Sequence, residues 1–218
     1  MQLPNNAATN GWYNVLPDPA PAKQVSGTIR APYVVLGAGV TGLSAARQLA
    51  THLPDEEIVL IEAERVGFGT SGRNSGFALD SFFHGDEPLN NPELSAAHAR
   101  LCTGGLNILR KLVKENEIEC GWHDWGKLHV SAGAEGDTSI NGLVQGYETL
   151  GIQAKELNAE EVAAVTGSTF YTAGLKVEAT GLMNPAAMCR GLGETLPSNV
   201  TLYENTPVHR VERGQPSR

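Results

Sequence analysis

Three glycines and one carboxylate carry the clearest chemical signal in this sequence. Residues 33–42 read Tyr-Val-Val-Leu-Gly-Ala-Gly-Val-Thr-Gly, which sets Gly37, Gly39 and Gly42 in G-x-G-x-x-G spacing, and Glu62 stands twenty residues beyond Gly42. Backbone N–H groups at a helix start are unpaired and sit at the positive end of the helix dipole, so they bind phosphate. In this pattern Gly37 permits a tight turn, Gly39 lets the backbone approach a pyrophosphate, and Gly42 lets helix and strand pack closely. A carboxylate at Glu62 can accept hydrogen bonds from both ribose hydroxyls of an adenosine. The chemistry on offer is dinucleotide binding, and it depends on a strand–turn–helix–strand context.

That context is legible on either side of the glycines. Tyr33, Val34, Val35 and Leu36 suit a short buried strand, residues 43–53 read as a helix, and Ile58, Val59, Leu60 and Ile61 as a second strand. A loop rich in Gly, Ser and Thr then spans 67–76. In a plain NAD domain another helix and strand follow the acid soon. A loop of this kind can instead wrap a longer cofactor with N–H and hydroxyl donors. Within it Arg73 has two readings, a surface ion-pair residue or a buried cation near the cofactor. Glu64 reads equally well as an exposed acid at a strand end.

The remaining elements are punctuated by proline, glycine and caps. Residues 1–30, with Pro4, Pro17, Pro19 and Pro21, predict an extended arm lying on the body. Leu94, Ala97, Leu101, Ile108 and Leu112 mark one face of a long helix, with Gly104 and Gly105 a weak spot. Residues 118–131 predict a hairpin around Gly126, and 139–150 a helix. Asn158 with Glu161 forms a capping-box start, 174–178 a strand, and Asn184-Pro185 opens a helix running to about residue 196. Strands follow over 200–203 and 208–211. This order predicts an α/β protein, a Rossmann-like dinucleotide-binding domain with an inserted α+β domain. The divisions expected are an arm over 1–30, the first part of the binding domain over 31–82, the insertion over 83–180, and a returning helix and strand over 181–218.

Composition narrows the partners. The chain has 218 residues, 41% hydrophobic and 18% charged, and a formal net charge of -8. That balance disfavours nucleic acid and anionic membrane surfaces. No apolar run is long enough for a membrane span, and the N-terminus lacks a secretory pattern. Cys102, Cys120 and Cys189 are odd in number and far apart, with no C-x-x-C, as for incidental thiols in a reducing cytoplasm. The histidines show no metal-ligand spacing, and a metal site at His123 and His129 is not expected. A small-molecule ligand and a cytoplasmic location are the expectations.

The stretch from residue 33 to 76, and above all "ERVGFGTSGRNSG", resembles the D-amino-acid-oxidase-like, glycine-oxidase-like superfamily of FAD-dependent amine and amino-acid oxidoreductases. It is most similar to the bacterial γ-glutamylputrescine oxidoreductase-type branch. The Pro-rich arm, "ATGLMNPAAMCRGL" and "LYENTPVHRVE" support the resemblance. It implies that Gly37, Ala38, Gly39, Thr41 and Gly42 hold the pyrophosphate of FAD and that Glu62 takes the ribose. It further implies that Ala63 and Arg65 lie along the adenosine, that Thr70, Ser71, Arg73, Asn74 and Ser75 approach the pyrophosphate and flavin, and that Val208 meets the adenine through its backbone. Members with a histidyl-linked flavin carry a His just after the Gly/Ser loop. This chain has Arg73 there, and His84 lies eleven residues later, so non-covalent FAD is implied. The activity implied is oxidation of an amine or amino acid, with hydride passing from the carbon beside nitrogen to flavin N5 and the imine then hydrolysing. The rivals are an NAD-dependent dehydrogenase and a non-catalytic or split dinucleotide-binding fragment. Family members continue well beyond residue 218, so the chain is expected to be an N-terminal part, to lack a nameable catalytic residue, and to be inactive alone.

Overall fold

The computed structural model describes residues 10–81 and 87–214. In chain order the elements are α1 (Gly11–Asn14), β1 (Tyr33–Leu36), α2 (Val40–His52), β2 (Ile58–Ile61), a 3-10 turn (Thr70–Gly72), β3 (Phe77–Ala78), α3 (Glu87–Asn90), α4 (Pro92–Glu115), β4 (Lys127–Ser131), α5 (Ala134–Thr149), β5 (Ala154–Asn158), α6 (Ala159–Thr166), β6 (Ala173–Val177), β7 (Gly181–Leu182), α7 (Pro185–Glu194) and β8 (Val200–Tyr203). They form two compact units. One comprises 1–75, 112–120 and 184–218, the other 76–111 and 121–183. The end of α4 therefore counts with the first unit, as does the arm.

The first unit is built on a parallel sheet of order β1-β2-β8. Tyr33 pairs with Ile58 and Leu36 with Ile61, while Ile58 pairs with Val200 and Ile61 with Tyr203. The central strand is the most apolar, and Ile58, Val59 and Leu60 are buried, as a strand flanked on both edges requires. Leu43 and Ala46 of α2 and Ala186, Cys189 and Leu192 of α7 complete the core. Arg47 of α2 donates to the carbonyls of Leu192 and Thr195 at 2.8 and 2.7 Å, which satisfies the carbonyl end of α7 with a cation, the sign the helix dipole favours there.

The second unit carries an antiparallel sheet of order β4-β6-β5. α5 covers it through a cluster of Ile140, Tyr147, Leu175 and Val177. α6 begins with the full capping box at Asn158 and Glu161 and ends at Gly167, whose φ is 72°.

Several expectations need correction. The segment before Gly126 does not pair with β4 as a hairpin. β4 pairs with β6, and the Trp122–Trp125 stretch instead makes a bridge from His123 to Leu182. Gly126 has φ 77°, and a side chain there would strike the Val177 carbonyl, so glycine lets the chain turn tightly against β6. α5 starts at Ala134, not 139, because Glu135 and Asp137 stabilise the positive end of a first turn that Gly133 and Gly136 disguise. Residues 208–211 form no strand, and Val208 and Val211 are exposed. The arm contains a helical turn, α1, capped by Asn10. On α4, Leu94, Leu101 and Ile108 do share a face, but they are 54%, 75% and 63% exposed; the buried stripe is Ser95, Ala99, Leu106 and Val113.

Candidate functional site

The glycine turn grows directly out of β1. Gly37 has φ +94°, the left-handed region that favours glycine, and its N–H extends the ladder to the Ile61 carbonyl at 2.7 Å. Gly39 is the extended N-cap of α2 and contributes no side-chain cap of its own. A Cβ on Gly39 would meet Ser71 Oγ at 2.8 Å, and one on Gly42 would run into the Gly37 carbonyl. The first glycine thus serves the turn, the second the approach of a neighbour, and the third the packing of helix on strand.

Glu62 lies at the tip of β2 and closes the turn from below. Its Oε2 accepts from the Ala38 N–H at 2.7 Å and its Oε1 from the Glu64 N–H at 3.0 Å. The loop beyond it folds back over α2, where Gly67 N–H donates to the Ala38 carbonyl at 2.9 Å and Ser71 Oγ accepts from the Val40 N–H at 3.0 Å. Ala38 is fully buried beneath this layer.

The structure therefore brings together residues 37–42, Glu62 and Ser71. Thr41 is exposed on the first turn of α2, Ala63 is half-buried beside Glu62, and Thr70 and Ser75 are exposed on the loop. Arg65 turns to the arm and to β8, donating to the Ala20 carbonyl at 2.7 Å and pairing with Glu204 at 3.4 Å. Arg73 Nε donates to the Phe68 carbonyl at 2.7 Å, with the guanidinium 4.7 Å from the Phe68 ring centre. Asn74 closes its own turn onto the carbonyls of Thr70 and Ser71. Val208 stands apart, exposed beyond β8; the residues of that segment that reach the site are Asn205 and Thr206, whose N–H groups donate to the carbonyls of Glu64 and Glu62 at 2.7 and 2.9 Å. His84 lies outside the described residues.

Sequence reasoning missed Glu204, Asn205 and Thr206, whose only signal is a polar run after a strand. It expected an arm lying on the body but missed the residues by which the arm binds the loop. Asn10 is buried and donates to the Gly72 carbonyl at 2.9 Å, Trp12 Nε1 to Asn74 at 2.8 Å, and Tyr13 Oη to Val66 at 2.6 Å. Burial foremost pushes the Tyr13 phenol up to about 12, and burial likewise pushes the Cys189 thiol up to about 12, so both stay neutral hydrogen-bonding or packing groups.

This donor set fits the adenosine diphosphate half of a dinucleotide. The N–H groups of the first turn of α2 have no acceptor within the helix; Gly39 offers no side chain to cap them, and the Val40 N–H donates to Ser71 Oγ from the facing loop. A carboxylate offers about four acceptor positions; Glu62 uses two on backbone N–H groups, which leaves about two for a ligand. Among the described residues no cluster of His, Cys, Asp and Glu could hold a metal ion.

Comparison with known proteins agrees with this geometry. Residues 32–218 match the DAO family, described as FAD dependent oxidoreductase. Among curated relatives, γ-glutamylputrescine oxidoreductase of Escherichia coli K12 is 26% identical over 203 residues, covering 91% of this chain and 47% of that one. The chain spans about half the length of the curated relatives it matches. Glycine oxidase from Geobacillus kaustophilus superposes with a TM-score of 0.64 at 17% identity, over 82% of this chain and 47% of that one. L-α-glycerophosphate oxidase from Mycoplasma pneumoniae, with FAD bound, superposes at 0.63 and 19% identity, over 82% and 45%. The mixed α/β fold is that of the FAD-dependent oxidases.

Proposed function

Because the chain belongs to the DAO family of FAD-dependent oxidoreductases, whose cofactor is FAD, we propose that it forms the cofactor-holding part of an enzyme that oxidises a small amine or amino acid. The observation that carries this reading is the apposition of Ser71 and the 67–76 loop to the start of α2, beside a Glu62 carboxylate with acceptor capacity to spare. The long glycine-rich loop after Glu62 argues against a nicotinamide enzyme.

In this reading the N–H groups of the first turn of α2 and the hydroxyl of Ser71 hold the pyrophosphate, with Gly39 leaving room for it. Glu62 orients the adenosine ribose. Ala63 and Arg65 lie along the adenosine, and Thr70, Arg73, Asn74 and Ser75 shape the flavin end; Val208, exposed beyond β8, takes no part. When bound, FAD supplies the electron acceptor for the carbon beside nitrogen. The cofactor is held without a covalent link, since Arg73 occupies the place a linking histidine would take. The substrate class is favoured by the γ-glutamylputrescine oxidoreductase relative. No helix of the described residues is long and apolar enough to cross a membrane, and a cytoplasmic location belongs to the same reading.

The test is spectroscopic. The enzyme of which this chain forms a part should carry flavin absorbance, release all of it to the supernatant on acid precipitation, and bleach anaerobically with an amine or amino acid but not with glycerol phosphate. Gly39→Val, whose side chain would run into Ser71 and push the loop from the start of α2, should leave a folded, colourless protein. A protein that binds no flavin but turns over a nicotinamide would overturn the reading.

A further inference from the structure

The loop facing the start of α2 is held from behind. Its carbonyls at Val66, Gly72 and Asn74 are taken by Tyr13, Asn10 and Trp12, three side chains from the single turn of α1 and its cap. Asn10 does this while its own Oδ1 caps the turn through the Trp12 N–H at 3.1 Å. The turn is anchored in its place: Asn184, the N-cap of α7, donates to the Trp12 carbonyl at 3.1 Å, and Arg190 donates to the Pro17 carbonyl at 2.6 Å. Prolines at 17, 19 and 21 stiffen the run that follows, and Arg65 grips it at Ala20. The ring of Tyr13 also fills the space beside two loop glycines. A Cβ on Gly67 would meet its hydroxyl at 3.1 Å, and one on Gly72 would meet its Cε2 at 3.2 Å.

Two physical consequences follow. A segment containing Gly67, Gly69, Gly72 and Gly76 is costly to order, and a ligand that must order it loses that free energy from its affinity. Carbonyl oxygens repel phosphate, so a loop that lies over an anion site must keep them turned away. The three arm donors meet both demands, because each fixes a loop carbonyl on the arm side while Ser71 Oγ faces the Val40 N–H.

We propose that Asn10, Trp12 and Tyr13 are positioning residues for the cofactor: acting through the 66–74 loop, they hold it in the shape that receives the flavin half of FAD. This rests on the FAD reading above. The arm sets FAD affinity, whereas ADP, which meets the loop only at Ser71 and otherwise rests on the glycine turn and Glu62, depends on it less.

Tyr13→Phe deletes one donor and keeps the ring, and Trp12→Phe deletes one donor and keeps an aromatic side chain in its place. Apo-protein of the parent, each single variant and the double variant is titrated with FAD and with ADP, and its thermal unfolding is recorded. The double variant should bind FAD about tenfold more weakly and ADP within about twofold of the parent, with the apo unfolding midpoint unchanged. The single variants carry the test if the double variant does not fold. Unchanged FAD affinity, or equal losses for FAD and ADP, would overturn the clamp and leave the arm a general stabiliser. A parent that binds ADP but not FAD would overturn the cofactor reading itself.

Discussion

In the proposed reading Glu62 serves the fold and the ligand with one carboxylate. Its two backbone contacts tie the glycine turn to the end of β2, and its remaining acceptor capacity is left for the ribose. Charge-assisted hydrogen bonds of this kind contribute roughly 1.5–3 kcal/mol, so Glu62→Ala should weaken FAD binding about ten- to a hundredfold. Titration of apo-protein measures this, and an unchanged affinity would assign the residue to the turn alone. Arg73 is a different case. Its Nε bonds within the loop and its guanidinium lies on Phe68, so its position is set before any ligand arrives. Glu62 was readable because a fixed number of residues separates it from the glycines. Thr206 and Asn205 were not, because a backbone N–H donor leaves no trace in the identity of its residue.

Among the elements, those defined by local pattern were readable and those defined by distant partners were not. The parallel strands β1, β2 and β8 have the bounds that their β-branched runs predict, and the capping box at Asn158 names the start of α6 outright. β4 shows an alternating pattern, but nothing local says that its partner is β6, more than forty residues on. β5, with Lys155 and Glu156 exposed, is too polar to announce itself. The β4–α5 contact supports a pH prediction. His129 on β4 faces Tyr147 with ring centres 6.5 Å apart, and its Nε2 is buried without a hydrogen-bond partner. Burial, and secondarily the neighbouring Lys127, lowers its pKa below the ordinary value of 6.5. The unfolded chain therefore binds a proton before the folded one does. Stability from this residue is complete above about pH 6.5 and declines as pH falls from there toward the lowered folded value. Unfolding midpoints taken between pH 8 and pH 5, at about equal steps across that window, should fall less in His129→Gln than in the parent. Parallel curves would show that the ring titrates normally in the folded protein.

Across the molecule as described, apolar surface and net charge oppose each other. Leu94, Leu101 and Ile108 form a stripe at seven-residue spacing along α4, and Gly104 and Gly105 beside it would let another surface approach closely. Val34 and Leu36 on β1 are also exposed. Contiguous apolar surface of this kind drives association, whereas a formal charge of -8 keeps copies of the chain apart at long range. Salt removes the second effect and leaves the first, because charges are screened beyond a Debye length of about 8 Å at physiological ionic strength. Light scattering by the 218-residue chain should therefore rise as sodium chloride is added. If the electrostatic balance is as argued, Leu101→Lys with Ile108→Lys should suppress that rise and leave thermal unfolding unchanged, since both side chains already lie in water. Scattering that rises equally in the double variant would move the adhesive surface from α4 to the exposed edge of β1, where Leu36→Thr makes the corresponding test.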